Sequence, residues 1–194
     1  MKGVVFTEFL EMVEDRFSPD VADRIIEDAD LPSGGAYTSV GTYDHREMLE
    51  LVAHLSRHTG VPAGDLVRAF GAHLFERFAV MFPQYFEGTS SAFEFLGKIE
   101  DYIHIEVRKL YPDAELPRFQ FDATRPDRLV VIYRSTRPFA ALAEGLIRGC
   151  VAHYGEPIEV ETEDLAGGAG TAARFVLTRR EAAAAQWTPT RSHG

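Results

Sequence analysis

The chain has 194 residues, a net charge of −10 and a pI near 5.1. That acidic balance argues against nucleic acid or an anionic membrane as the main partner, because both need a basic footprint. The one cysteine, Cys150, rules out an intrachain disulfide framework and a cysteine-based zinc site.

Apolar content is 45%, enough for the core of one domain. No stretch approaches membrane-spanning length. Glu8 and Glu11 interrupt the N-terminal apolar residues, so a signal peptide is not expected and the expected location is cytoplasmic.

Ser18-Pro19 reads as a helix N-cap followed by a first-turn proline, with Val21, Ala22, Ile25, Ile26 and Ala29 at helical spacing behind it. Pro32-Ser33-Gly34-Gly35 breaks that helix. Asp44 and Glu47 have capping-box spacing ahead of the stripe Met48, Leu51, Val52, Leu55, and Gly60 is a stop signal. The next helix carries Leu66, Phe70, Leu74, Phe78 and Met81 and ends at Pro83. Ser91 and Glu94 open another predicted helix, with Leu96, Ile99, Ile103, Val107 and Leu110 on one face and Pro112 as its stop.

The period then changes. Phe119–Phe121 and Leu129–Tyr133 read as strands joined through Thr124-Arg125-Pro126-Asp127. Phe139–Tyr154 reads as a helix closed by Gly155, and residues 158–163 and 173–178 as a hairpin turning at Gly167, Gly168 and Gly170. Residues 181–194 lack a core face and are expected to be a mobile tail. Helices first and a mostly antiparallel sheet later predict an α+β fold.

Two features carry chemistry. In Tyr133-Arg134-Ser135-Thr136-Arg137, an extended backbone would put Tyr133, Ser135 and Arg137 on one face, two hydroxyls and a guanidinium fork suited to carboxylates or phosphates. His104 lies among apolar residues on a predicted helix. Spacing alone leaves it either a satisfied core histidine or a metal ligand. His54 and His58 share i, i+4 spacing but lack a third ligand and read as a solvated face.

Together with Tyr111-Pro112 and Pro117 in that order, these features resemble the heme nitric-oxide/oxygen binding (H-NOX) family, related to the heme domain of soluble guanylate cyclase. The resemblance starts at Met1-Lys2-Gly3-Val4-Val5-Phe6, passes through Gly71-Ala72-His73-Leu74-Phe75 and Leu142-Ala143-Glu144-Gly145-Leu146-Ile147, and fades after Glu161. It implies one domain over 1–180, with a helical lobe of about 1–65, a heme and sheet lobe of about 66–180, and heme between them.

The resemblance further implies heme b with His104 as the axial iron ligand, and Tyr133, Ser135 and Arg137 on the heme propionates. Pro117 is expected to press on the porphyrin. Val5, Phe9, Leu74, Phe78, Leu142 and Leu146 are expected to contact heme. Oxygen-binding members place a tyrosine where Leu142 stands. With Phe9 and Leu74 also apolar, the implied ligand is nitric oxide, with carbon monoxide also bound. Gly71 and Gly145 match hinge glycines, with close packing as the other reading. The implied role is a monomeric, non-enzymatic sensor acting in trans on a histidine kinase or a cyclic-di-GMP enzyme. A heme enzyme of peroxidase or nitric oxide dioxygenase type, an oxygen-binding member of the family and a heme-free helical interaction module are the alternatives.

Overall fold

A computed structural model describes residues 1–180; the expected tail at 181–194 lies outside the described residues. The α+β expectation holds. Among the described residues, seven α-helices accompany one four-stranded sheet. The helices are α1 (Gly3–Arg16), α2 (Pro19–Asp28), α3 (His45–Thr59), α4 (Ala63–Met81), α5 (Ala92–Gly97), α6 (His104–Leu110) and α7 (Ala140–Tyr154). The strands are β1 (Arg118–Arg125), β2 (Arg128–Arg134), β3 (Ile158–Asp164) and β4 (Ala172–Arg179), all antiparallel in the order β1-β2-β4-β3.

Local signals explain many boundaries. The Ser18 hydroxyl accepts from Val21 N–H at 3.2 Å and starts α2. Gly60 (φ +72°) and Gly155 (φ +63°) end α3 and α7 in the left-handed conformation that glycine enters without a Cβ penalty. The expected capping boxes form differently. Asp44 caps α3 through Arg46 N–H, but Glu47 is buried and accepts from the Ser33 and Tyr37 hydroxyls instead. Ser91 caps α5, whereas the Glu94 carboxylate reaches back to Ser90, one residue earlier.

Helix α1 was not signalled by a clean apolar stripe. It buries Phe6, Phe9, Met12 and Val13 together with Glu8. Arg77 on α4 makes the buried carboxylate tolerable: its Nε donates to Glu8 at 2.6 Å. A buried charge survives only with such a partner.

Two buried clusters result. The first joins α1, α2 and α3 to Leu66, Phe70 and Leu74 of α4 and to Phe139. The second lies between α5, α7 and the sheet and takes Phe75 from α4. Helix α4 therefore serves both cores, and it crosses α7 backbone to backbone. A Cβ built on Gly145 would lie 2.1 Å from the Arg68 carbonyl oxygen, and one on Gly71 2.5 Å from that of Leu142. This is close packing of the two helices. Glu144, next to the crossing, is buried and accepts from Arg68 at 3.0 Å and Arg148 at 2.9 Å, so α4 and α7 are also tied by charge.

Candidate heme site

The helix expected to run unbroken from Ser91 to Pro112 is interrupted. After α5 the backbone takes a π turn over Ile99–Ile103, in which Ile103 N–H reaches the Lys98 carbonyl at 3.1 Å. A π turn inserts one residue into the helical repeat and rotates everything beyond it. The predicted stripe breaks accordingly: Leu96 is buried, Ile99, Ile103 and Val107 are half-buried, and Leu110 is 60% exposed. His104, the first residue of α6, takes the buried position instead.

The imidazole of His104 is held from one side. Its Nδ1 lies 3.2 Å from Glu100 Oε1, and the same oxygen accepts the Phe119 backbone N–H at 2.7 Å. Among the described residues its Nε2 has no hydrogen-bond partner. Burial lowers the His104 pKa, with the Glu100 carboxylate opposing. A neutral ring with Nδ1 donating and Nε2 unpaired is the form that can give a lone pair to a metal.

Strand pairing brings the second motif close. Phe119 on β1 stands opposite Tyr133 on β2. The Phe119 ring is 5.9 Å from the His104 ring and 5.6 Å from the Tyr133 ring, tilted against both, so three neighbouring rings join the motifs. Tyr133 is buried and Arg134 exposed, as strand alternation requires.

The alternation argument does not extend to Ser135 and Arg137, because β2 ends at Arg134. Ser135 N–H pairs with the Thr171 carbonyl at 2.8 Å. The Ser135 hydroxyl accepts the Arg137 backbone N–H at 3.0 Å and turns the chain. A turn thus places Arg137, whose guanidinium pairs with Glu115 in the segment leading to Pro117. Burial raises the Tyr133 pKa, opposed by the Ser135 hydroxyl, the Phe139 backbone and the Arg137 charge, so the phenol stays a donor.

Residues with no clear sequence signal join this end. The Met1 amine donates to the Tyr43 carbonyl at 2.6 Å; burial, then the Arg137 charge, lowers its pKa. His45 lies edge-on to Phe139 at 6.1 Å, and burial, then Arg137, lowers its pKa too. Glu100 did carry a signal, since it precedes His104 by four residues.

The remaining expected residues fall into two groups. Phe9 and Leu74 are enclosed, 0% and 2% exposed, with Phe9 edge-on to Phe70 at 5.2 Å. Val5, Phe78, Leu142 and Leu146 pack against the first cluster but remain half-buried, and Leu146 also packs against the second. Pro117 is half-buried just before β1. His73 points away from this apolar surface, its Nε2 3.8 Å from Glu8. His58 pairs with Asp28 at 2.8 Å. Cys150 is buried, and burial pushes its thiol pKa up, leaving it inert.

A histidine with an unpaired Nε2, a set of half-buried apolar side chains and a cationic end make a donor set suited to a metalloporphyrin with carboxylate tails. The model for the haem-NO-binding family matches residues 2–162. The chain belongs to the haem-NO-binding, or H-NOX, family.

Solved H-NOX structures superpose closely. The Fe(II) unliganded H-NOX protein from K. algicida is 38% identical, with 96% of this chain and 100% of that one covered, at a TM-score of 0.88. The IWP-051-bound H-NOX from Shewanella woodyi, in the Fe(II)CO ligation state, is 39% identical over 97% of this chain and 99% of that one, at 0.80. An H-NOX protein from S. oneidensis in the Fe(II)NO state shares the fold at 0.86, with 24% identity over 93% and 100%. Comparison with curated proteins returned no match. H-NOX domains are heme-binding gas sensors. Among the described residues no helix is long and apolar enough to cross a membrane.

Proposed function

We propose that this H-NOX domain holds heme b on His104 and senses nitric oxide, its state being read in trans by a histidine kinase or a cyclic-di-GMP enzyme. The observation that carries the heme assignment is His104 itself, buried, with Nδ1 engaged by Glu100 and Nε2 left without a partner. Arg137 and Tyr133, with Ser135 at the turn, would take the propionates, and charge-assisted bonds of this kind contribute about 1.5–3 kcal/mol each. The Arg137 guanidinium, now paired with Glu115, and the Met1 amine are the cations this end would offer the propionates. Pro117, with fixed φ, would bear on one porphyrin face.

Held by His104, heme would supply a ferrous iron able to take diatomic gases. The chain's own contribution is selection and transmission. Val5, Phe78, Leu142 and Leu146 offer no hydrogen-bond donor, nor do Phe9 and Leu74 behind them, so nothing among them can stabilise the negative charge that oxygen draws. The carbon monoxide and nitric oxide states recorded for the S. woodyi and S. oneidensis proteins are in keeping with this choice. The same set supplies no acid or base for peroxide chemistry. His73 on α4 has its Nε2 3.8 Å from Glu8, the carboxylate that Arg77 also meets. Letting go of His104 would free α6 and bias the two cores toward a second arrangement.

Absorption spectra of the reduced protein test the reading. A Soret band that shifts with nitric oxide and carbon monoxide, and no lasting complex in air, is the expected result. Leu142→Tyr should give a lasting complex in air. A lasting complex in air with the unmutated protein would overturn the gas assignment.

A further inference from the structure

Glu100 takes no part in the assignments above beyond its contact with His104, yet its environment is specific. Its carboxylate lies at the junction of the π turn, α6 and β1, and one oxygen, Oε1, meets both the His104 ring at 3.2 Å and the Phe119 N–H at 2.7 Å. Glu100 is the second residue of the π turn, which ends just before His104, and such turns mark functional sites in helices. Arg108 and Arg118 line the open cleft beside Glu100, but among the described residues neither hydrogen-bonds to it. The carboxylate is therefore directed inward, to the imidazole and the strand, and not spent on a surface ion pair.

We propose that Glu100 is a positioning residue for the iron ligand: by accepting the Nδ1 proton of His104 it fixes the ring's tautomer and rotation, strengthens Nε2 as a donor, and couples the iron–His104 bond to strand β1. The proposal rests on the heme reading. A carboxylate behind a metal-bound imidazole raises its basicity and holds its orientation, and removing such a partner typically weakens metal binding by about 10–100-fold. Because Oε1 is shared with Phe119, a rotation of His104 away from iron must pull on the start of β1, two residues after Pro117. The strength of the iron–histidine bond, and hence the ease of its release under nitric oxide, is set here by the chain's own carboxylate.

The test compares heme-loaded wild type with Glu100→Gln, which keeps the side chain's shape and an oxygen for Phe119, and Glu100→Leu, which keeps neither acceptor. The iron–histidine stretching band of the ferrous, gas-free proteins is read by resonance Raman spectroscopy, beside the heme reduction potential and the rate at which nitric oxide displaces His104. The band should fall in the order wild type, Gln, Leu. The potential should rise in the same order, and displacement should quicken by about tenfold or more in Glu100→Leu. An unchanged band and potential in Glu100→Gln, with His104 still on iron, would overturn the proposal while leaving the heme reading intact. Failure of wild type to bind heme, or a His104→Ala protein with the wild-type ferrous spectrum, would overturn both.

Discussion

The Gly71–Gly145 crossing offers a perturbation whose size follows from the coordinates. In Gly145→Ala the new methyl group would lie 2.1 Å from the Arg68 carbonyl oxygen and 2.8 Å from the Gly71 Cα. Ordinary contact needs about 3.5 Å, so α4 and α7 must separate by about 1.4 Å. Both obstacles are backbone atoms, and no flexible side chain can yield. Overpacking a close-packed site costs about 1–3 kcal/mol, and a rigid contact belongs at the top of that range. Alanine in a helix interior recovers about 1 kcal/mol over glycine. The net loss is about 2 kcal/mol, and for a chain of this size it lowers Tm by roughly 4–8 °C. Gly64→Ala, near the start of α4 with nothing within 4 Å of its built Cβ, is the control and should be neutral or slightly stabilising. The assay is thermal unfolding by far-ultraviolet circular dichroism at matched heme occupancy, because a bound ligand shifts Tm by mass action. A Gly145→Ala protein as stable as Gly64→Ala would refute the close-packing account and favour a hinge with room to open.

Arg137→Ala should shed heme to an acceptor apoprotein faster than Arg134→Ala, because Arg137 is mostly buried and paired with Glu115 while Arg134 is exposed; equal loss rates would contradict the propionate role. His73 gives a pH signature. Burial lowers its pKa from 6.5, so the unfolded chain binds the extra proton first as pH falls. Stability should therefore drop from about pH 6.5 downward to the lowered folded value. His45 and His104 shift in the same direction, so His73→Phe should shallow that slope without abolishing it. An identical slope in urea denaturation across this window would show that His73 does not contribute.

Most of this architecture is legible in the sequence where local chemistry decides structure. Ser18, Gly60 and Gly155 set helix ends through their own hydroxyl or missing Cβ, and Tyr133 and Arg134 take opposite faces of β2 because a strand alternates. The features that escaped depend on partners distant in the chain. Helix α1 tolerates Glu8 only because Arg77 meets it, and Glu47 leaves its capping position for Ser33 and Tyr37. The π turn before His104 accompanies a Glu100 bond to Phe119, which no helical periodicity reports. Arg137 reaches its place through a serine turn and not through an extended strand. At the site, His104 and Tyr133 were legible from motif and order. The Met1 amine and His45 were not, since only folding brings α3 and the chain start beside Arg137.

The most direct test of the central claim, that His104 carries the heme, is the absorption spectrum of reduced His104→Ala protein beside that of the wild type, before and after adding imidazole. Among the described residues, His104 is the one buried histidine with an unpaired ring nitrogen next to the Tyr133 motif. The account predicts that the Soret band is lost in the variant, or returns only when imidazole replaces the missing ligand. A variant with normal heme content and an unchanged ferrous spectrum would contradict it.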